Sequence, residues 1–189
     1  MDSIKLPWIH AGYRTFAFEG PAALRVEVLA REVGKSKSSF YHHFADLEVF
    51  TEALLEQHLY QARIMSQREQ QCHQLVPDVL NLLVEFKEDL LFNRQLRVHR
   101  QHPSFRKCVE QVNAETGAPF LAIWADAMDL PRHTHVAQVV LGLVIENFYL
   151  QITPENLNYH WLETYFREIK EVVRDLRNGQ NTPSLYGGV

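Results

Sequence analysis

The chain has 189 residues, 46% of them hydrophobic, which supplies enough apolar mass for a packed core and argues against a disordered chain. Its formal net charge of −4 excludes a uniformly basic nucleic-acid coat. The imbalance is uneven: residues 1–47 carry 6 Lys+Arg against 5 Asp+Glu, and the remainder 13 against 18. An N-terminal segment that is locally less acidic can still dock on phosphates, because charge placement matters more than the total.

In chain order, Ile9, Tyr13, Phe16 and Ala17 recur at helical spacing over 4–18, and Gly20-Pro21 closes that helix. A short helix follows over 26–33 and stops at Gly34. Ser36 is placed to cap a second short helix over 37–44, and Asp46 to cap a long fourth helix striped by Phe50, Leu54, Leu55 and Leu59. Pro77 fits the first turn of a fifth helix running to Phe92, with a short segment over 94–100 behind it. His102-Pro103 opens the next helix, which Gly117-Ala118-Pro119 is expected to interrupt before it resumes to Asp129. Pro131 is expected to start an apolar helix to Ile152. Thr153-Pro154-Glu155 is expected to open the last one, ending near Asn178 before Gly179. No strand alternation and no internal repeat are visible, so the fold class is all-α with about nine helices.

The segment from Val26 to Phe44 reads as a helix-turn-helix. Ala30 is small enough for a close crossing, and Gly34 can take the positive φ of a sharp turn. Val26, Leu29, Val33, Phe40 and Phe44 can meet in a small core. The remaining face (Lys35, Ser36, Lys37, Ser38, Ser39, Tyr41, His42, His43) is rich in hydrogen-bond donors and holds no acid, which suits a phosphate-lined groove.

At these residues the sequence resembles the TetR family of bacterial regulators. The matching elements are Leu29-Ala30, Gly34, Ser36, Tyr41-His42-His43-Phe44, and Asp46 with Glu48, together with the aromatic first helix ending at Gly20. The likeness covers roughly residues 8–55. It implies three helices for DNA in residues 1–47, a helical ligand-binding and dimerisation part in residues 48–178, and a tail over 179–189. It places Ser36, Lys37, Ser38 and Ser39 at base edges or nearby phosphates, and Tyr41 and His42 on the backbone, with Phe40 and Phe44 as core. His43 reads equally well as solvated surface. The family usually has Ser or Thr where this chain has Leu24-Arg25, and often Lys where it has Leu47. Arg25 and Lys35 are candidates to make up the lost phosphate contacts.

In the C-terminal part, Leu162, Phe166, Ile169, Val173 and Leu176 fall at heptad steps, as do Val136, Val140, Leu143, Asn147 and Leu150. Two such helices can pair with their symmetry mates in a four-helix homodimer interface. Either seam could instead face the protomer's own core. The large apolar residues Phe86, Phe105, Phe120, Trp124 and Met128 are candidates for a pocket taking a small hydrophobic or aromatic ligand, with Arg97, His99 and Asn147 as polar partners. Aromatic stripes more often fill cores, and it is the resemblance that favours a pocket.

The expected function is thus a ligand-responsive regulator, most simply a repressor, bound as a homodimer to an inverted-repeat double-stranded DNA operator. No catalytic site, cofactor or metal is expected. The pairs His99/His102 and His133/His135 are the nearest approach to a metal motif, and no nucleophile elbow or phosphate loop is present. The competing readings are a helical small-molecule-binding protein without DNA recognition and a metal-dependent helical enzyme. Cys72 and Cys108, with no CxxC spacing, read as free thiols in a reducing cytosol. With no basic leader followed by an apolar run, and no membrane-length stretch, a soluble cytoplasmic protein is expected.

Overall fold

The computed structural model describes residues 4–131 and 134–178, with side chains left aside at 117–119. Within those residues the chain is helical and without strands, in the order α1 (Leu6–Glu19), α2 (Val26–Val33), α3 (Lys37–His43), α4 (Leu47–Glu69), α5 (Leu80–Glu85), α6 (Lys87–Val98), α7 (Pro103–Ala127), α8 (His135–Gln151) and α9 (Tyr159–Asn178). The expected tail over 179–189 and His133 lie outside the described residues.

The first four helices begin and end where local chemistry says they should. Gly34 takes φ +68° at the end of α2, the left-handed conformation that costs glycine least. The Ser36 hydroxyl accepts from the Ser39 N–H at 3.2 Å, and the Asp46 carboxylate from the Val49 N–H at 2.8 Å, so α3 and α4 are both capped. Arg25, standing where a hydroxyl cap would be expected, makes no side-chain cap bond to α2.

Five later boundaries differ from expectation. Val76, preceding Pro77, is extended (φ −113°, ψ 123°), and a π-helical turn over Leu75–Val79 leads into α5 only at Leu80, because a residue before proline avoids the α region. The expected single helix is then broken at Phe86 into α5 and α6, and the segment expected to be separate belongs to α6. α7 runs unbroken through Pro119. Pro119 cannot donate to the Glu115 carbonyl one turn back, and Ser66 of α4 donates to that carbonyl instead, at 2.8 Å. α8 starts after Thr134, whose hydroxyl accepts from Ala137 N–H at 3.1 Å, and not at Pro131. Thr153 and Asn156 exchange reciprocal hydrogen bonds at 2.7 and 3.2 Å, yet they close a turn that buries Ile152 and Leu157. α9 waits for its own cap, Asn158, which accepts from the Trp161 N–H at 3.0 Å.

Helix α1 ties the molecule together. It packs on α2, α4 and α6. Gly12 lets α4 approach so closely that a Cβ there would sit 2.3 Å from Phe50 Cζ. α4 in turn lies along α7, and α9 packs on α5.

Candidate functional site

The turn and α3 sit on an aromatic floor. Phe40 and Phe50 are fully buried and Phe44 nearly so. The Phe40 ring meets Trp8 at 5.4 Å and Phe50 at 5.2 Å, and Phe44 meets Phe50 at 4.8 Å. Such edge-to-face packing fixes the azimuth of a helix too short to be stable alone. What faces outward is the polar set read from the sequence. Arg25, Lys35, Ser36, Lys37, Ser38, Tyr41 and His42 are exposed, and Ser39 and His43 half-buried. Tyr41 is 55% exposed although aromatic, a large ring left in water beside hydroxyls and cations. Lys37 is not free: its Nζ donates to Glu27 Oε1 of α2 at 2.6 Å, and this pairing holds the Glu27 carboxyl below its ordinary value. Both partners are exposed, so the pair is weak, screened by salt and easily exchanged for a phosphate.

A helix presented this way, capped by Ser36 and turned by Gly34, has the size and chemistry of a major-groove reader. Residues 9–54 match the family model described as bacterial regulatory proteins, tetR family. Over those residues the chain is similar to that family. The likeness points to a DNA-binding transcriptional regulator. No curated protein matches the chain.

In the C-terminal half of the chain, a partly open cavity of about 90 Å³ is lined by α4, α5, α6, α7, α8 and α9. An open cleft of about 270 Å³ between α7 and α8 adjoins it and shares Asn113, Thr116 and Ile145. Of the candidate ligand residues only Phe120 lines the cavity. The other seven require correction. Phe86, Phe105, Trp124 and Met128 are core, Trp124 with no exposure at all, and Phe105 meets the Phe16 ring at 5.5 Å. Large rings on these helices complete helix-to-helix packing, where burial is most favourable. Arg97 pairs with Glu146, donates to Asn113 Oδ1 at 2.6 Å and lies 4.4 Å from the Tyr149 ring centre. His99 ends α6, its backbone N–H bonded to Gln95. Asn147 is exposed on α8, accepting from Gln151 and Tyr165.

The polar groups that do line the cavity are His58, Gln61, Glu69, Asp89, Asn93, Asn113, Thr116 and Tyr149. Their signal was present in the sequence: His58 and Glu69 continue the buried stripe Phe50, Leu54, Ala62, Met65 of α4 at helical steps. Burial holds the His58 imidazole neutral, its value pushed down to about 3. Burial likewise pushes the Glu69 carboxyl up to about 8. Tyr13 of α1 connects this cavity to the N-terminal helices. Its hydroxyl donates to Asp89 Oδ1 at 2.7 Å and lies 2.6 Å from His58 Nδ1. A hydroxyl has one proton, so with that proton on Asp89 the second bond is donated by His58 Nδ1–H, and His58 Nε2 is an acceptor. The rings stack as well: Phe92 lies 4.3 Å from Tyr13, 4.1 Å from Phe16 and 4.6 Å from His58.

The two heptad seams divide. On α8, Val136, Leu143, Asn147 and Leu150 are exposed and Val140 half-buried, with Leu143 67% and Leu150 75% accessible. On α9, Leu162, Phe166 and Val173 are buried and Ile169 half-buried. That seam faces the protomer's own core, against α5, because the nearest apolar surface claims it. The exposed apolar residues of α9 are Val172 and Leu176. Among the described residues no three His, Cys, Asp or Glu side chains converge as a metal site, and no helix is long and apolar enough to cross a membrane.

Proposed function

We infer that this chain is a homodimeric repressor whose α3 reads an inverted-repeat operator and whose C-terminal cavity takes the small molecule that releases it. In this reading residues 1–47 contact DNA and 48–178 bind ligand and partner. The observation that carries it is the acid-free face of α3, held outward on a rigid aromatic floor while its apolar residues are spent inside. Lys35, Lys37 and Arg25 reach phosphates, Ser36, Ser38 and Ser39 allow close approach to base edges, and Tyr41 and His42 meet the backbone. The two-fold axis runs beside α8, where Val136, Val139, Leu143 and Leu150 are exposed in a row. Val172 and Leu176 of α9 are exposed apolar residues as well. Exposed apolar patches of this kind mark interfaces.

The test is fluorescence anisotropy with the DNA flanking the gene, at several salt concentrations. Lys37→Ala should weaken binding to all sequences and reduce the salt slope by about one unit. Tyr41→Ala should weaken binding without changing the melting temperature. If both variants bind an identified operator as tightly as the parent, α3 is not the DNA-reading element. For the dimer, Leu143→Asp with Leu150→Asp should yield folded monomers by sedimentation, since both side chains are exposed in the protomer; an unchanged dimer refutes the α8 interface.

A further inference from the structure

The polar atoms of the cavity are one-sided. His58 Nε2, Glu69 Oε2 and Asn93 Oδ1 are buried without a hydrogen-bond partner, on side chains 2%, 4% and 3% exposed, and all three residues line the cavity. His58 Nε2 is an acceptor by the proton count above. Asn93 gives its amide N–H to Tyr149 at 3.1 Å and keeps its carbonyl oxygen free. Glu69 holds its proton while the cavity is empty; a cation that enters favours the ionised form, and the carboxylate then offers acceptors alone. Buried polar atoms left without partners are the exception in folded proteins.

Charge is one-sided as well. Glu69 and Asp89 line the cavity and no Lys or Arg does. The nearby guanidinium of Arg97 is outside the lining and engaged by Glu146 and Asn113. The walls supply Phe120, Phe148, Tyr149 and Phe166, and aromatic faces attract cations. Along α4 the lining extends from His58 to Glu69, about 16 Å at 1.5 Å per residue, so the space favours an extended body with its headgroup at one end.

We propose that the effector is an extended apolar molecule ending in a primary ammonium group, which donates to the Glu69 carboxylate while its body lies among the aromatic rings. This rests on reading the cavity as the effector site. A carboxylate or phosphate headgroup would meet Glu69 with no cation to neutralise it, and a quaternary ammonium has no N–H to give. An alcohol brings one weak donor and no charge.

The experiment is isothermal calorimetry with three matched probes: 4-phenylbutylamine, 4-phenylbutan-1-ol and 4-phenylbutyrate. The parent protein should bind the amine at least about tenfold more tightly than the alcohol, as a charge-assisted hydrogen bond allows, and the acid most weakly. Glu69→Gln, which keeps the shape, should bring the amine level with the alcohol and leave the alcohol unchanged. If the alcohol or the acid binds the parent as tightly as the amine, the ammonium class is wrong while the effector cavity stands. An amine preference that persists in Glu69→Gln also overturns the assignment. If none of the three probes binds, the reading of the cavity as an effector site fails and this inference with it.

Discussion

Replacing Tyr13 by Phe isolates one oxygen atom at the junction between α1 and the cavity. The ring stays, along with its 4.3 Å stack on Phe92; the hydroxyl that serves both Asp89 and His58 goes. The Asp89 bond is charge-assisted and the His58 bond neutral, so the loss is about 2–4 kcal/mol once the cost of leaving two buried partners unpaired is counted. For a chain of this length that lowers the melting temperature by roughly 5–15 °C. The assay is thermal and urea denaturation at fixed protein concentration, since self-association makes melting concentration-dependent. Tyr41→Phe, at a position 55% exposed, is the control and should be neutral. A shift below about 2 °C for Tyr13→Phe would show that water replaces the hydroxyl at no cost, and that the bond does not hold α1 onto α6.

Gly12→Ala should destabilise by about 1–3 kcal/mol despite alanine's higher helix propensity, because the new Cβ meets Phe50, a fully buried ring with Phe40 and Phe44 behind it; a gain in melting temperature would contradict the packing. Ser66→Ala should cost about 1 kcal/mol or more by orphaning the Glu115 carbonyl. The same substitution in a Pro119→Ala background should cost far less, as alanine supplies the missing N–H; additive effects in that cycle would refute the explanation. Glu69 is raised to about 8 from 4.5, so the folded chain holds a proton that the unfolded chain has released. Stability should therefore fall as pH rises through this window, approaching 1.4 kcal/mol per pH unit from this group. Glu69→Gln should flatten the urea-midpoint profile between pH 5 and 8. The neighbouring groups are Cys72, Tyr149, His58 and Asp89; His58 stays neutral throughout, and parallel profiles for parent and variant would exclude Glu69 as the source.

What was legible in the sequence was what local chemistry decides. Gly34, Ser36 and Asp46 set the ends of α2, α3 and α4 by backbone conformation and capping alone, which is why the helix-turn-helix and its outward face could be read residue by residue. Boundaries set by distant groups could not. Pro119 reads as a helix break until a hydroxyl on α4 is known to satisfy the carbonyl it strands. Thr153-Pro154-Glu155 reads as a helix start until the burial of Leu157 turns the chain aside. The α9 seam is amphipathic whichever way it points, and only its packing on α5 decides that it points inward.

The cavity inverts the usual weighting of residues. Large rings such as Trp124 and Phe105 are conspicuous in the sequence, but a large ring is what fills space, so it marks where a cavity has been closed. A cavity with polar lining is marked instead by a hydrophilic residue inside an apolar stripe, since a chain that buries such a group without a partner loses stability there. On α4 the stripe Phe50, Leu54, His58, Ala62, Met65, Glu69 contains two such residues, and on α6 Asn93 follows Leu90 at a helical step. All three end with an unpaired atom beside the same space. Unpaired acceptors gathered around one cavity are more economically explained by a recurrent occupant than by separate imperfections of packing, because a donor that enters restores a bond the empty protomer leaves unmade.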